Sequence, residues 1–382
     1  MFGSIMAVSF IPMILLFPIG GIIADRLNKR NIMLVMDLCT AILISLFCLL
    51  SEKADVISLM AITMIILYGL DGADRPAVKA SIPALINRKH IMKANSIIDM
   101  VDSTASMAGP VIGGILFATL GLMPILHISI GCFFASVILD VFIHVPFEKR
   151  VDNGNIFATG IGDLRESFRF MLKARPVLWK ISLAFAASNL LLTALVLIGL
   201  PVIITQRLDF VPAAANRLYG YAQGVVAAGA ILGGFLAGTL SGKLKSQAGS
   251  VLLIGCSLCV IIGGAALQTL NVSMAIYIVL VICCGLLLTI HTVFQIQMMT
   301  YLQILTPNDL VGKVISCFMC VVMCTVPLGQ AIYGFAFEHI GENIYLLFYV
   351  AGIIMIGISL LTRRIFSGID SQIEKQSRKP DE

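Results

Sequence analysis

Three ionisable side chains stand inside one apolar stretch. Asp71, Asp74 and Arg75 fall within residues 57–80, with Lys79 one helical turn further on. Asp71 and Arg75 are spaced i, i+4 and can pair along a helix, while Asp71 and Asp74 share a face. Charges in such a segment are costly and usually face a cavity or one another. Two carboxylates this close resist ionising together, which suits a site that exchanges a proton near neutral pH. The plainer alternative is a cluster that meets water near the inner end of the segment. Asp99 and Asp102, i and i+3 within residues 94–119, suit cross-helix pairing with Arg75 or Lys79, or a place on a proton route. A further group is neutral: Asn189 and Thr193, i and i+4 in residues 178–204, and His291, Gln295 and Gln297 in residues 273–297. His291 can titrate or bond a substrate, or simply be satisfied by a neighbouring helix.

Other chemistries lack their residues. Gly242-Lys243 and Gly312-Lys313 have neither the upstream Gly nor the following Ser or Thr of a phosphate loop. There is no HExxH and no G-x-S-x-G, so an enzyme is not expected. The ten Cys all fall in apolar stretches. Cys256 and Cys259, and Cys317 and Cys320, have CxxC spacing, but on a helix in lipid they read as small hydrophobes. No metal and no cofactor is expected.

The elements that must carry these residues are membrane helices. Of the 382 residues, 59% are hydrophobic and 12% charged, with mean hydropathy +0.99. Soluble domains run near 45–50% apolar and about 25% charged. Residues 1–24, 103–139, 181–206, 218–242, 246–308 and 314–337 carry no charge at all. About 20 apolar residues cross a bilayer, and the runs do not alternate, so helices rather than a barrel are implied. Eleven spans are expected, at 2–24, 31–51, 57–80, 94–119, 122–144, 178–204, 217–240, 250–270, 273–297, 313–337 and 343–364. The opening run has no basic flank, since its first charge is Asp25, and reads as a mature helix rather than a signal peptide.

Lys and Arg set the orientation. With the first loop inside, 21 of the 26 basic residues lie on the inner side, which places the C-terminus in the cytoplasm. The net charge of +5 therefore tracks the membrane boundaries and forms no patch for nucleic acid. Residues 145–177 are a charged linker. In it Leu164, Phe168, Met171 and Leu172 fall at helical spacing and suggest an amphipathic surface helix. Residues 365–382 are a polar tail, expected to be disordered.

The halves repeat. Gly20-Gly21-Ile22-Ile23-Ala24 recurs as Gly233-Gly234-Phe235-Leu236-Ala237, and the stretch from Ala108 to Gly113 faces Val326-Pro327-Leu328-Gly329. The offsets are 213 and 217, which points to a duplicated bundle with five helices before the linker and six after it.

Gly21-Ile22-Ile23-Ala24-Asp25-Arg26-Leu27-Asn28-Lys29-Arg30 resembles the loop signature of the major facilitator superfamily. Asn28 stands where that family usually has Gly, and Asn tolerates the left-handed turn such a Gly would serve. Residues 105–114, with Gly109, Pro110, Gly113 and Gly114, resemble the helix-5 signature of the family's drug:proton antiporters, with Ala105 in place of Gly. Ala80-Ser81-Ile82-Pro83-Ala84-Leu85 and Lys93-Ala94-Asn95-Ser96 resemble its macrolide-efflux and enterobactin-exporter branch. The resemblance covers nearly the whole chain. It implies two helical bundles, 1–144 and 178–364, working by alternating access, and a family first helix that would precede Met1; a misplaced start is the expected reason, the alternatives being a degenerate copy or a bundle completed by another component. It further implies that Gly21, Asp25, Arg26, Lys29 and Arg30 form a conformational latch against the start of the span at 313. Pro110 is expected to bend its helix, and the glycines around it to seal the outer side or merely to pack helices. The implied protein is a monomeric exporter of amphipathic small molecules in the cell membrane, driven by the proton gradient. The alternatives are a transporter-like protein that no longer transports, serving as a sensor or partner subunit, and the membrane part of an ATP-driven exporter.

Overall fold

The computed structural model describes residues 12–366 apart from 14, 15, 17, 18, 21, 22, 24–26, 52–54, 146–168, 242, 245, 308, 309 and 342. The described chain is helical throughout and contains no strand. Ten long helices follow in order: α1 (Lys29–Leu50), α2 (Val56–Leu85), α3 (Ile91–Leu120), α4 (Leu122–Phe142), α5 (Pro176–Arg207), α6 (Pro212–Thr239), α7 (Ala248–Thr269), α8 (Ser273–Leu305), α9 (Val311–His339) and α10 (Tyr345–Phe366). Nine of these are long and apolar enough to cross a membrane, and α3 runs for 30 residues beside them. In lipid a helix satisfies its own backbone, which is why uninterrupted apolar runs settle into this form. Large apolar side chains such as Leu49, Leu139, Phe142 and Leu361 stay exposed, as the faces of a bundle immersed in lipid must.

Local chemistry sets the ends. Asn28 caps α1, its Oδ1 accepting the Arg30 amide at 3.1 Å. Its φ is −62°, so Asn28 is not left-handed; the residue serves as an N-cap instead of replacing a Gly turn. Asp55 caps α2 by accepting both the amide and the hydroxyl of Ser58. Gly121, with φ +77°, makes the left-handed corner between α3 and α4, and Gly341, with φ +64°, the one between α9 and α10. Two helices outrun their hydropathy. α2 continues past Lys79 and Pro83 to Leu85, and α8 continues past Gln297 to Leu305. At 33 residues α8 is roughly 50 Å long, more than the hydrocarbon thickness.

The chain forms two compact units. Unit 1 comprises Met1–Arg88, Gly109–Pro176 and Thr306–Val321; unit 2 comprises Lys89–Ala108, Val177–Leu305 and Val322–Glu382. In unit 1, α1 packs on α2 and α4, with Ile32 and Ala77 buried between α1 and α2. In unit 2, α7 packs on α8 and α10 in the same pattern, and α6 lies along α8. The two glycine segments of the repeat do matching work. A Cβ on Gly20 would sit 2.8 Å from the Ala73 backbone of α2, and one on Gly233 would sit 2.5 Å from the Thr289 carbonyl of α8. Close backbone approach of this kind is how small residues pack membrane helices. Gly229 adds a second such contact one turn away, against Gly285.

Candidate functional site

Unit 1 holds a charged site. Arg75 Nε donates to both oxygens of Asp71, at 2.8 and 2.7 Å, on the exposed side of α2. Asp74, one residue before Arg75, turns inward, and its Oδ1 is buried with no hydrogen-bond partner. A cavity of about 250 Å³ opens beside it, lined by Met36, Asp37, Thr40, Leu67, Leu70, Asp71, Asp74 and Phe133. Two further carboxylates belong here that spacing along α2 could not disclose. Asp37 lines the cavity from α1; Asp140, near the end of α4, is not part of that lining but is buried, its Oδ2 also without a partner, and acts electrostatically on Asp74. Each was open to detection as a lone acid in an apolar span. Asp99 on α3 is half-buried, and Asp102 is exposed.

Unit 2 holds a neutral site. Residues Asn189–Thr193 form a single-turn π-bulge within α5, a distortion often found at functional positions. The Phe185 carbonyl at its edge accepts from Ser188 Oγ at 2.7 Å and from Asn189 Nδ2 at 3.1 Å. Asn189 Oδ1 in turn accepts from Thr193 Oγ1 and from Gln295 Nε2 of α8, each at 3.3 Å. His291 of α8 is fully buried, with Nε2 3.0 Å from Ser188 Oγ and its ring stacked near Phe294. Because the Ser188 hydroxyl already donates to Phe185, His291 Nε2 is the donor in that contact. Asn189, Thr193, His291 and Gln295 thus meet in one seam between α5 and α8. Gln297 lies apart, its Nε2 donating to Tyr301 at 3.0 Å.

A second polar knot in unit 2 joins α3 to the C-terminal end of α8. Asn95 is wholly buried and donates to Thr300 Oγ1 at 3.2 Å and Gln303 Oε1 at 2.5 Å. Small residues bring the helices together around it: Ser96 and Met100 lie against the positions a Cβ would take on Gly238 and Gly234 of α6. Spacing on α3 alone gives no hint of this knot, since its partners lie more than 200 residues away in sequence.

Residues 1–324 match the sequence profile of the Major Facilitator Superfamily. The chain belongs to the major facilitator superfamily. It is 25% identical over 368 residues to the uncharacterized MFS-type transporter YfiS of Bacillus subtilis (strain 168), covering 94% of this chain and 83% of that one. It is 26% identical over 303 residues to the enterobactin exporter EntS of Salmonella typhi, covering 77% and 67%. Its fold is similar to the crystal structure of a bacterial homologue of the iron transporter ferroportin in an outward-facing state. That match has a TM-score of 0.72 at 16% identity, over 97% of this chain and 90% of the other.

Within this superfamily member the loop signature is described in part. Gly21, Asp25 and Arg26 lie outside the described residues. Lys29 is buried in the first turn of α1. Arg30 reaches the far end of α4, where Nε donates to the Asp140 carbonyl at 3.1 Å and Nη2 to the Val141 carbonyl at 2.6 Å. A cation on the last carbonyls of a helix complements the negative end of its dipole. In the helix-5 signature the α-helical backbone continues through Gly109, Pro110, Gly113 and Gly114. A Cβ on Gly109 or Gly113 would meet no described atom within 4 Å. Of the linker expected to carry a surface helix, residues 146–168 lie outside the described residues; Phe170–Ala174 form a π-turn, with Met171 buried and Leu172 exposed.

Proposed function

We propose that this protein is a secondary active exporter of amphipathic small molecules, drug- or siderophore-like, that exchanges substrate for protons by alternating access in the cell membrane. The observation that carries the reading is the division of polar groups inside the apolar helices. One unit holds carboxylates around a cavity and the other holds a neutral, hydrogen-bonding seam. Carboxylates in a membrane helix suit proton exchange, and neutral amides and hydroxyls orient an otherwise apolar ligand. The likeness to a protein named as an enterobactin exporter supports outward transport of such ligands.

In this reading Asp71, Asp74 and Arg75 serve proton coupling, with Asp99 and Asp102 further along the route. Asn189, Thr193, His291 and Gln295 contact substrate. Gly21, Asp25, Arg26, Lys29 and Arg30 latch the inner side when the outer side is open, and Gly109, Pro110, Gly113 and Gly114 favour export. The bundles are 1–144 and 178–364, joined by 145–177 and followed by a cytoplasmic tail from 365. The protein works as a monomer.

The test is substrate-stimulated proton flux in proteoliposomes, with macrolides, cationic dyes and siderophores as the panel. The expected result is flux with at least one class that stops when the proton gradient is collapsed. Flux that persists without the gradient would rule out antiport, and folded protein that moves none of the three classes would favour a non-transporting role.

A further inference from the structure

Three carboxylates of unit 1 lie on α1 and the two helices packed on it: Asp37 on α1, Asp74 on α2 and Asp140 on α4. Asp37 acts electrostatically on both of the others. Two of the three are poorly served by their surroundings. Asp140 is 5% exposed, and its Oδ2 has no hydrogen-bond partner; Asp74 Oδ1 is likewise buried and unpartnered. The nearby cations, Arg30 and Arg75, act on Asp140 and Asp74 electrostatically but also hydrogen-bond other groups. Arg30 Nε and Nη2 bond the Asp140 and Val141 carbonyls, and Arg75 Nε bonds Asp71. An ionised carboxylate offers only acceptors, so neither orphan oxygen can receive a hydrogen bond from the other acids. Leaving such atoms buried and charged is expensive. One bound proton changes the arithmetic: it removes a negative charge and turns one carboxyl into a donor.

The cavity beside Asp37 and Asp74 is large enough for several waters and provides a path for that proton. A metal ion fits less well, since no three His, Cys, Asp or Glu side chains among the described residues are grouped to hold one. The charged groups facing the triad are Arg30 on α1, Asp71 and Arg75 on α2, and the three acids themselves. We propose that Asp37, Asp74 and Asp140 together hold one exchangeable proton, and that Asp71 stands outside the set because Arg75 neutralises it. The step is simple acid–base chemistry: a proton from cavity water forms an O–H bond on one carboxylate and later returns to water. The use of that proton in transport rests on the antiport reading above, but its presence can be measured without transport.

The experiment is infrared difference spectroscopy of the full chain in lipid nanodiscs, stepped from neutral to alkaline pH. Wild type should show the carbonyl stretch of a protonated carboxyl at neutral pH, lost as pH rises. Asp74→Asn should remove or displace that band. Asp37→Asn and Asp140→Asn should each move its loss to lower pH, because a neighbouring negative charge is gone. Asp209→Asn, at an exposed acid between α5 and α6, should leave it untouched. Absence of the band in wild type would overturn the proposal by itself, so a variant that fails to fold does not shield it. A band that survives Asp74→Asn unchanged but vanishes with Asp209→Asn would overturn it too. A band that behaves as expected, alongside substrate flux indifferent to the proton gradient, would support the triad and remove the antiport reading instead.

Discussion

The charged site of unit 1 and the neutral seam of unit 2 solve the same problem in opposite ways. Both place polar atoms inside apolar helices, where an unmet donor or acceptor is costly. In unit 2 the groups are neutral and carry both donors and acceptors. Ser188, Asn189, Thr193, His291 and Gln295 therefore satisfy one another and the α5 backbone, and the helices close around them. In unit 1 the groups are mostly acids, which accept and do not donate. They cannot close on themselves, and a cavity stands where the seam would be. Neutral polarity permits helix contact, whereas like charge keeps water or protons in attendance.

That contrast can be broken at its charged end first. Asp74→Asn should reduce gradient-driven substrate flux in proteoliposomes to the level of protein-free vesicles, while substrate binding measured without a gradient is retained. On the neutral side the effect is smaller and of another kind. Asn189→Ala removes the acceptor for Thr193 and Gln295 and should raise the KM for transport by about two- to tenfold, the worth of one hydrogen bond. Coupling to protons should be unchanged, and a loss of coupling would erase the division of labour between the units.

The Asn95 knot sharpens the comparison, because it is neutral but incompletely satisfied. Asn95→Leu deletes the donor to Thr300 and Gln303 and should cost about 1–3 kcal/mol of stability in a thermal melt. Asn95→Leu with Gln303→Leu should recover part of that loss, since the Gln303 carbonyl is then not left without the Asn95 donor. The smallest effect belongs to an exposed acid of unit 1. Hydrogen bonds from the Ser58 hydroxyl and amide hold the Asp55 carboxyl below its usual range. A depressed carboxylate stabilises the fold above its unfolded pKa and loses that contribution as pH falls through the folded value. The difference in melting temperature between wild type and Asp55→Ala should therefore be present at pH near 7 and fade below about pH 4.

Much of the helical layout could be read directly from the chain. Long charge-free runs have few outcomes other than membrane helices, and most of the described helices start and stop within a few residues of those runs. The exceptions are instructive. α8 reaches Leu305 because hydropathy reports where lipid ends, while hydrogen bonding along a helix continues into water. Within the sites, what lies on one helix was legible: Asp71 and Arg75 meet as i, i+4 requires. What lies across helices was not. Spacing could nominate Asn189 and Gln295 separately, but their contact depends on how α5 and α8 pack. Asp37 and Asp140 stand singly on their helices and have no periodic partner to draw attention. Asn28 shows a different limit, since one residue type suits both a left-handed turn and an N-cap, and only the backbone angle separates them.

The π-bulge at Asn189–Thr193 has a consequence for chain length. A bulge of this kind accommodates one residue more than a regular α-helix would. Removing a single residue there would heal the helix, and by its own local measure α5 would be improved. Each residue of a regular α-helix turns the chain by about 100°, so a residue added without a bulge would swing everything beyond it by that amount. The bulge absorbs the extra residue and leaves the turns on either side in phase. Its removal would therefore change little beyond the widened turn itself, but that turn is where Asn189 meets Thr193 and Gln295. The surplus residue thus bears on the seam alone and on nothing else in α5.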